Sequence, residues 1–304
     1  MTKAHSITEP VLVINAGSSS LKAKVFPYGH TILVERIGTS DSAIHTNGKP
    51  VIHHPVATHQ EALGWVVNEL LGDIPAPRVV GHRLVHGGTK FLAPLVVNAD
   101  LVGELEQLND LAPLHNPANI EALRAAMGVL PSATHVVAFD TAFHATLPPV
   151  AYRYAIPTEL YEQEHIRRFG FHGTSHDYVS SQAARVLGKS RRDLKIITLH
   201  LGNGASVTAI NHGESVDTSM GYTPLEGLVM GTRSGDIDPG VLLHLLRLGW
   251  TGQELDTLLN RKSGLLGLSV ISNDMRDLRQ AAANGNEAAR LAIDVFVYRI
   301  RKTI

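Results

Sequence analysis

Apolar positions between residues 11 and 54 come in short runs and strict alternations, the pattern of strands. Val11 to Ile14 is an apolar run suited to a fully buried strand. Leu21, Ala23 and Val25 alternate with Lys22 and Lys24 in the period-two pattern of a second strand. The pair reads as a hairpin, and the whole span as three or four strands with short turns. The period then lengthens. Residues 59 to 72 read as an amphipathic helix, 77 to 83 as a strand and Ala99 to Leu111 as a helix. A further helix opens at Asn116 and Pro117, an N-cap followed by proline at the first helical position. Residues 134 to 140 form a buried strand ending on Asp140.

The second half repeats this order. Residues 195 to 210 are again an apolar strand, a Gly and Asn turn and an alternating strand, and aligning Gly17 on Gly202 places Leu12 and Ile14 on Ile197 and Leu199. A short match of this kind also arises by chance among hairpins. Read as a duplication, it predicts two α/β domains, each a mixed sheet that opens with a hairpin and finishes in helix and strand alternation, with a ligand cleft between them. The length of 304 residues agrees with two domains of roughly 150 residues. Pro148-Pro149 marks the boundary, giving domains 1–147 and 148–304.

Composition narrows the function. A formal net charge of −1 gives no reason to expect nucleic acid or an anionic membrane as partner, and the pairs Arg167-Arg168 and Arg191-Arg192 read as solvated turns. Cysteine is absent, which excludes disulfides and thiolate metal sites. The start, MTKAHSITEP, lacks the apolar core of a signal peptide, and no apolar run approaches the roughly 18 residues of a membrane span, so the expectation is the cytoplasm. None of the 17 histidines falls in an H-E-x-x-H arrangement.

Five stretches could carry chemistry. NAGSSSLK lacks the spacing of a P-loop, but a turn of small residues can offer amides, hydroxyls and a lysine to an anion; it also fits a plain polar turn. GHRLVHGG sets Arg83 beside two glycines where backbone can approach a ligand and a guanidinium can grip an oxyanion, or is a surface arginine at a turn. In FDTAFH, Asp140 ends an apolar strand, the place where α/β sheets carry functional groups and also capping aspartates. His172 stands just ahead of a helix capped by Thr174 or Ser175 and ending near Gly188, where anions are favoured. Residues 217 to 240 hold five glycines and a single arginine, Arg233, without period, then a helix from Pro239 to about residue 249 capped by Asp238. Glycine-rich turns, arginines, a histidine and an aspartate together match phosphoryl transfer, whose chemistry is mostly positioning and charge neutralisation.

In order along the chain, NAGSSSLK, HRLVHGG, FDTAFH, FHGTSH, HLGNGAS and DTSMGYTPLEGLVMGTRSGDIDP resemble the acetokinase family of short-chain carboxylate kinases. The resemblance implies two ribonuclease-H-like domains of the superfamily shared with sugar kinases, chaperones and actin. It also implies reversible transfer of the ATP γ-phosphoryl group to acetate, giving acetyl phosphate and ADP, with Mg2+ and in a homodimer. Carried over by residue, Asn15 would help hold the metal, and Ser18, Ser20 and Lys22 would approach the phosphates. Arg83 would bind the substrate, with Val85 and Leu114 shaping an apolar pocket for its methyl group. Asp140 would be the catalytic carboxylate, better viewed as orienting an arginine or the ion than as taking a proton. His172 and Arg233 would stabilise the transition state. The turn His200, Leu201, Gly202, Asn203 and Gly204 would take the second phosphate, and Asp274, Met275 and Arg276 would touch the nucleotide. Propionate kinase shares these motifs, and a nucleotide-binding module without catalysis is the alternative of a different class. Members of the family continue beyond the point where Arg301 to Ile304 end an apolar helical pattern. The implied second domain is therefore incomplete, and the expectation is that residues 1–304 alone have little or no kinase activity while the protein they derive from is active.

Overall fold

The computed structural model describes residues 9–304 apart from Asp73 and Leu114. The chain divides into two compact units, Met1–Ala142 and Phe143–Ile304.

The first unit is built on one sheet. Its strands are β1 (Val11–Ala16), β2 (Ser20–Phe26), β3 (His30–Glu35), β4 (Ala43–Thr46), β5 (Ile52–His53), β6 (Val79–Leu84), β7 (Leu95–Val96) and β8 (Thr134–Phe139), in the spatial order β5-β4-β3-β2-β1-β6-β8-β7. Strands β1 to β5 form an antiparallel meander, whereas β1, β6 and β8 run parallel. Parallel neighbours need crossovers. The helices α1 (His59–Leu70), α2 (Ala99–Glu106) and α3 (Asn116–Val129) supply them. These helices cover one sheet face, where Leu12, Ile14, Leu21, Val25, Val80, Leu84, Val137 and Phe139 are buried with Leu63, Val66, Leu105 and Leu123. The other face carries Val13, Asn15, Lys22 and Lys24.

That two-faced sheet corrects two readings. The run from Val11 to Ile14 is not buried on both sides: Val13 is 39% exposed because only one face has helices against it. Nor does Asn116 cap α3. His115 is the cap residue, and Asn116 opens the helix with its side chain turned to the backbone of His86 and Leu108. In addition, the predicted helix Ala99 to Leu111 stops at Glu106, and residues 109 to 111 form a separate 3₁₀ turn.

In the second unit, α4 (Pro149–Tyr152), α5 (Thr158–Glu164) and α6 (Gly173–Val186) precede a three-stranded antiparallel sheet of β9 (Lys195–Leu201), β10 (Ala205–Asn211) and β11 (Glu214–Thr218), in the order β11-β10-β9. Helices α7 (Pro239–Arg247), α8 (Gly252–Arg261), α9 (Gly264–Ser269), α10 (Met275–Ala283) and α11 (Glu287–Thr303) follow, with Leu265, Leu278, Ala289 and Ala292 at the core that α9, α10 and α11 share. Asp238 caps α7 as expected, accepting from the Gly240 amide at 2.8 Å. The predicted repeat therefore extends only to the hairpin: among the described residues no strand follows Thr218. Strand β9 also inverts its expected burial. Ile197 and Leu201 are 46% and 52% exposed while Thr198 is buried, as befits an edge strand with helix α6 against one face.

Candidate functional site

Both units gather the residues that their sequences single out. In the first, β1 and β6 pair in parallel as far as Ile14 opposite His82 and then separate. At that opening, on the sheet face without helices, Asn15 lies opposite Lys22 across the hairpin. Arg83 reaches Asn15 Oδ1 from Nη1 at 3.0 Å. Its Nε and Nη2 donate to the two oxygens of Asp140 at 2.9 and 2.6 Å, a two-pronged pair with a carboxylate that is 1% exposed. Burial by itself would lower the Arg83 pKa, and the charge and hydrogen bonds of Asp140 outweigh it, so the guanidinium is held above its ordinary value. Asp140 therefore orients a permanent cation. The turn after β1 is closed by the Gly17 amide on the Ser20 carbonyl at 2.7 Å, with Ser18 exposed and Ser20 half-buried. His59, buried under the turn, binds the Gly17 carbonyl at 2.7 Å. A hollow of about 440 Å³ lies beside these residues, lined by Val13, Asn15, Lys22, Lys24 and Leu33.

The glycine pair after Arg83 does something other than expose amides to a ligand. Four consecutive amides, Val85 to Gly88, are each taken by a side chain: Asn119 Oδ1, Asn116 Oδ1, Thr141 Oγ1 and His86 Nδ1, at 2.9 to 3.1 Å. Gly87 is required because a Cβ there would press on the Phe91 carbonyl and lie 3.0 Å from the Phe139 ring. The loop is thus rigid, and the ligand-facing group it leaves is the Arg83 guanidinium, about a third exposed. Val85 is buried. Leu114 lies outside the described residues.

In the second unit, α6 begins at His172, which adopts a left-handed backbone (φ 57°) as its N-cap. A non-glycine residue in that region is uncommon and concentrates at functional sites. Neither Thr174 nor Ser175 caps the helix, and Ser175 Oγ bonds His200 Nδ1 at 2.9 Å instead. His172 stacks on His200 with ring centroids 4.0 Å apart, and its Nδ1 shares a 2.9 Å hydrogen bond with Ser206 Oγ, which also meets buried His176 at 2.7 Å. Between β9 and β10 the turn is closed by the Gly202 amide on the Gly204 carbonyl at 3.0 Å. A Cβ on Gly204 would stand 3.3 Å from His172 Nε2 and 3.6 Å from Arg233 Nη1, so imidazole and guanidinium flank the same glycine.

Arg233 is the more telling of the two. Burial lowers its pKa, its guanidinium makes a long contact to the Pro224 carbonyl at 3.4 Å, and among the described residues no carboxylate pairs with it. A desolvated cation without a counter-charge is costly unless an anion arrives. The segment that carries it has no helix or strand from residue 219 to 238, as expected. It is held by α9 instead: the amides of Ser263, Leu265 and Leu266 bind the carbonyls of Thr232, Met230 and Gly231. Asn203 receives Asn273 Nδ2 at 2.9 Å and gives its carbonyl to the Gly231 amide. That contact brings the Asp274 to Arg276 stretch beside the turn. Asp274 caps α10, and hydrogen bonds from the Arg276 guanidinium and amide lower its pKa to about 2.

The sequence reading passed over several of these residues. Arg168 is not a solvated turn residue. It donates to the carbonyls of Thr218, Ser219 and Met220 and pairs at 2.6 Å with Glu226, which also accepts from Tyr154. Arg191 is likewise tied to Asp177, Ser181 and the Gly213 carbonyl. Asn116 and Asn119, a turn apart in the apolar stripe of α3, were the legible signal for the clamp on the Val85 loop.

The class that this fold and donor inventory define is an α/β protein with two clusters of cationic and polar side chains, one around Arg83 and one around Arg233. The family model described as the Acetokinase family matches residues 10–304. An acetate kinase of Thermotoga petrophila is 49% identical over 97% of this chain and 77% of its own length. Among solved structures, Porphyromonas gingivalis acetate kinase and a Francisella tularensis propionate kinase each superpose with a TM-score of 0.89 at 42% identity. Both cover 97% of this chain, and 78% and 79% of their own. The chain belongs to the acetokinase family.

Proposed function

We propose that this protein is an ATP:acetate phosphotransferase, moving the γ-phosphoryl group of ATP to a carboxylate oxygen of acetate and back. Arg83, oriented by Asp140 and Asn15, holds the acceptor carboxylate, with the buried side chain of Val85 beside its methyl group. His172, Gly204 and Arg233 receive the transferred group, and Ser18, Ser20, Lys22 and the His200 to Gly204 turn receive the remaining phosphates. The observation that carries the reading is the uncompensated guanidinium of Arg233 against a glycine turn and an imidazole.

No general base is required, because acetate is ionised at neutral pH. Acetate oxygen forms a bond to the γ-phosphorus as the bond to the β-bridging oxygen breaks, and the leaving group is ADP. Arginine supplies charge stabilisation of the metaphosphate-like group worth on the order of 10³ or more in rate. Mg2+, when bound with the nucleotide, would supply charge neutralisation at its phosphates, and Asn15 would be the residue to help hold it. Asn15 offers an oxygen of the right kind, but that oxygen already accepts from Arg83. Among the described residues no cluster of three or more His, Cys, Asp or Glu side chains could hold an ion.

No helix among the described residues is long and apolar enough to cross a membrane. A cytoplasmic homodimer is proposed on family membership. Trapping acetyl phosphate as its hydroxamate, with the full-length protein, ATP and either acetate or propionate, tests the function. Turnover that depends on the carboxylate is expected, with acetate the better substrate. Nucleotide binding without such turnover would favour the non-catalytic alternative.

A further inference from the structure

Parallel strands β1 and β6 stay in register to Ile14 and His82, and the ladder stops there. Beyond that point two side chains replace it. On the open face of the sheet, Arg83 Nη1 meets Asn15 Oδ1. On the helix face, Asn119 from the first turn of α3 enters the gap: its Oδ1 accepts from the Val85 amide at 3.1 Å, and its Nδ2 donates to the Ala16 carbonyl at 2.6 Å. Ala16 is the last residue before the Gly17 to Ser20 turn, and Val85 lies two residues beyond Arg83. Asn119 is 3% exposed, so neither bond has water as a substitute.

We propose that Asn119 is a positioning residue for phosphoryl transfer: it sets the spacing between the phosphate turn after β1 and the acceptor loop that begins at Arg83. This rests on the proposed function for what the two segments bind. The geometry sets it apart from its neighbour Asn116, which bonds His86 and Leu108 and does not reach β1. An asparagine suits the place because one planar amide both accepts and donates. Aspartate of the same size keeps the bond from the Val85 amide and sets an oxygen against the Ala16 carbonyl.

The test compares Asn119→Asp and Asn119→Ala in the full-length protein, alone and combined with Arg83→Ala. The expected result is a fall in kcat with acetate of about tenfold or more, since displacements under an ångström have effects of this size. The KM for ATP should move less than about twofold, and most of the kcat effect should vanish in the Arg83→Ala background, because coupled residues are not additive. Unchanged kcat, or an equal loss with and without Arg83, would overturn the proposal. Hydrogen exchange reads the clamp without turnover: the Val85 amide should exchange about tenfold faster or more in Asn119→Ala, which removes its acceptor. Unaltered exchange there overturns it too. If the wild-type protein formed no acyl phosphate while Asn119→Ala still loosened Val85, the functional reading would fail and the clamp would stand.

Discussion

Asp140→Asn separates two roles for the buried carboxylate. In the structure Asp140 receives two donors from Arg83, at 2.9 and 2.6 Å. Asparagine retains one acceptor and turns an N–H₂ group toward the other guanidinium nitrogen, so one charge-assisted bond becomes a donor–donor contact. Removing one partner of a fully buried pair costs about 3 to 5 kcal/mol. Arg83 keeps 31% of its side chain in water, and screening there brings the figure nearer to about 2 kcal/mol. At about 1.4 kcal/mol per factor of ten, a step that depends on Arg83 slows by roughly 30-fold. The expected result is that loss in kcat/KM for acetate, with the KM for ATP within about twofold. Thermal unfolding should move down by about 4 to 8 °C for a unit of this size. The pH profile should drop without changing shape, because an orienting carboxylate transfers no proton. A variant with unaltered kcat/KM and Tm would refute the orienting role. One that erased an acidic limb of the wild-type profile would show proton transfer instead.

Two further outcomes follow from other parts of the molecule. Gly204→Ala places a methyl group 3.3 Å from His172 Nε2 and 3.6 Å from Arg233 Nη1; kcat should fall at least about tenfold with Tm shifted little, and a fully active variant would show that no substrate group occupies that space. The buried pair His82 and His135, joined at 3.0 Å, should make the first unit acid-sensitive, since burial first and His135 second lower the His82 pKa to about 3. Between pH 6.5 and about 3 the unfolded chain binds a proton that the folded one refuses, so this contribution is complete above pH 6.5 and is lost as the pH falls. Its upper bound is about 5 kcal/mol. Urea midpoints measured across that range should decline with acidity, and less steeply in His82→Gln; an identical slope in the variant would remove His82 as the cause.

Much of the candidate site was legible because its residues lie in short local motifs. A turn of small residues between paired strands, an arginine at a strand end and a long aperiodic segment around one arginine are each visible within ten or twenty residues. What the sequence hid was the use to which polar side chains are put after packing. Asn116 looks like a cap because caps and buried clamps call for the same short amide, and only the tertiary position of His86 and Leu108 distinguishes them. Arg168 looks solvated because its partner Glu226 lies in a loop whose path has no period to read. Val13 and Ile197 were assigned to the interior because apolar runs resemble doubly covered strands, yet neither β1 nor β9 has a helix on both faces. The same limit bears on the chemistry. Sequence could place Asp140 at the end of a strand, but whether it takes a proton or holds an arginine depends on where the Arg83 fork points. The geometry shows the second arrangement: the carboxylate fixes the cation, which keeps about a third of its side chain exposed.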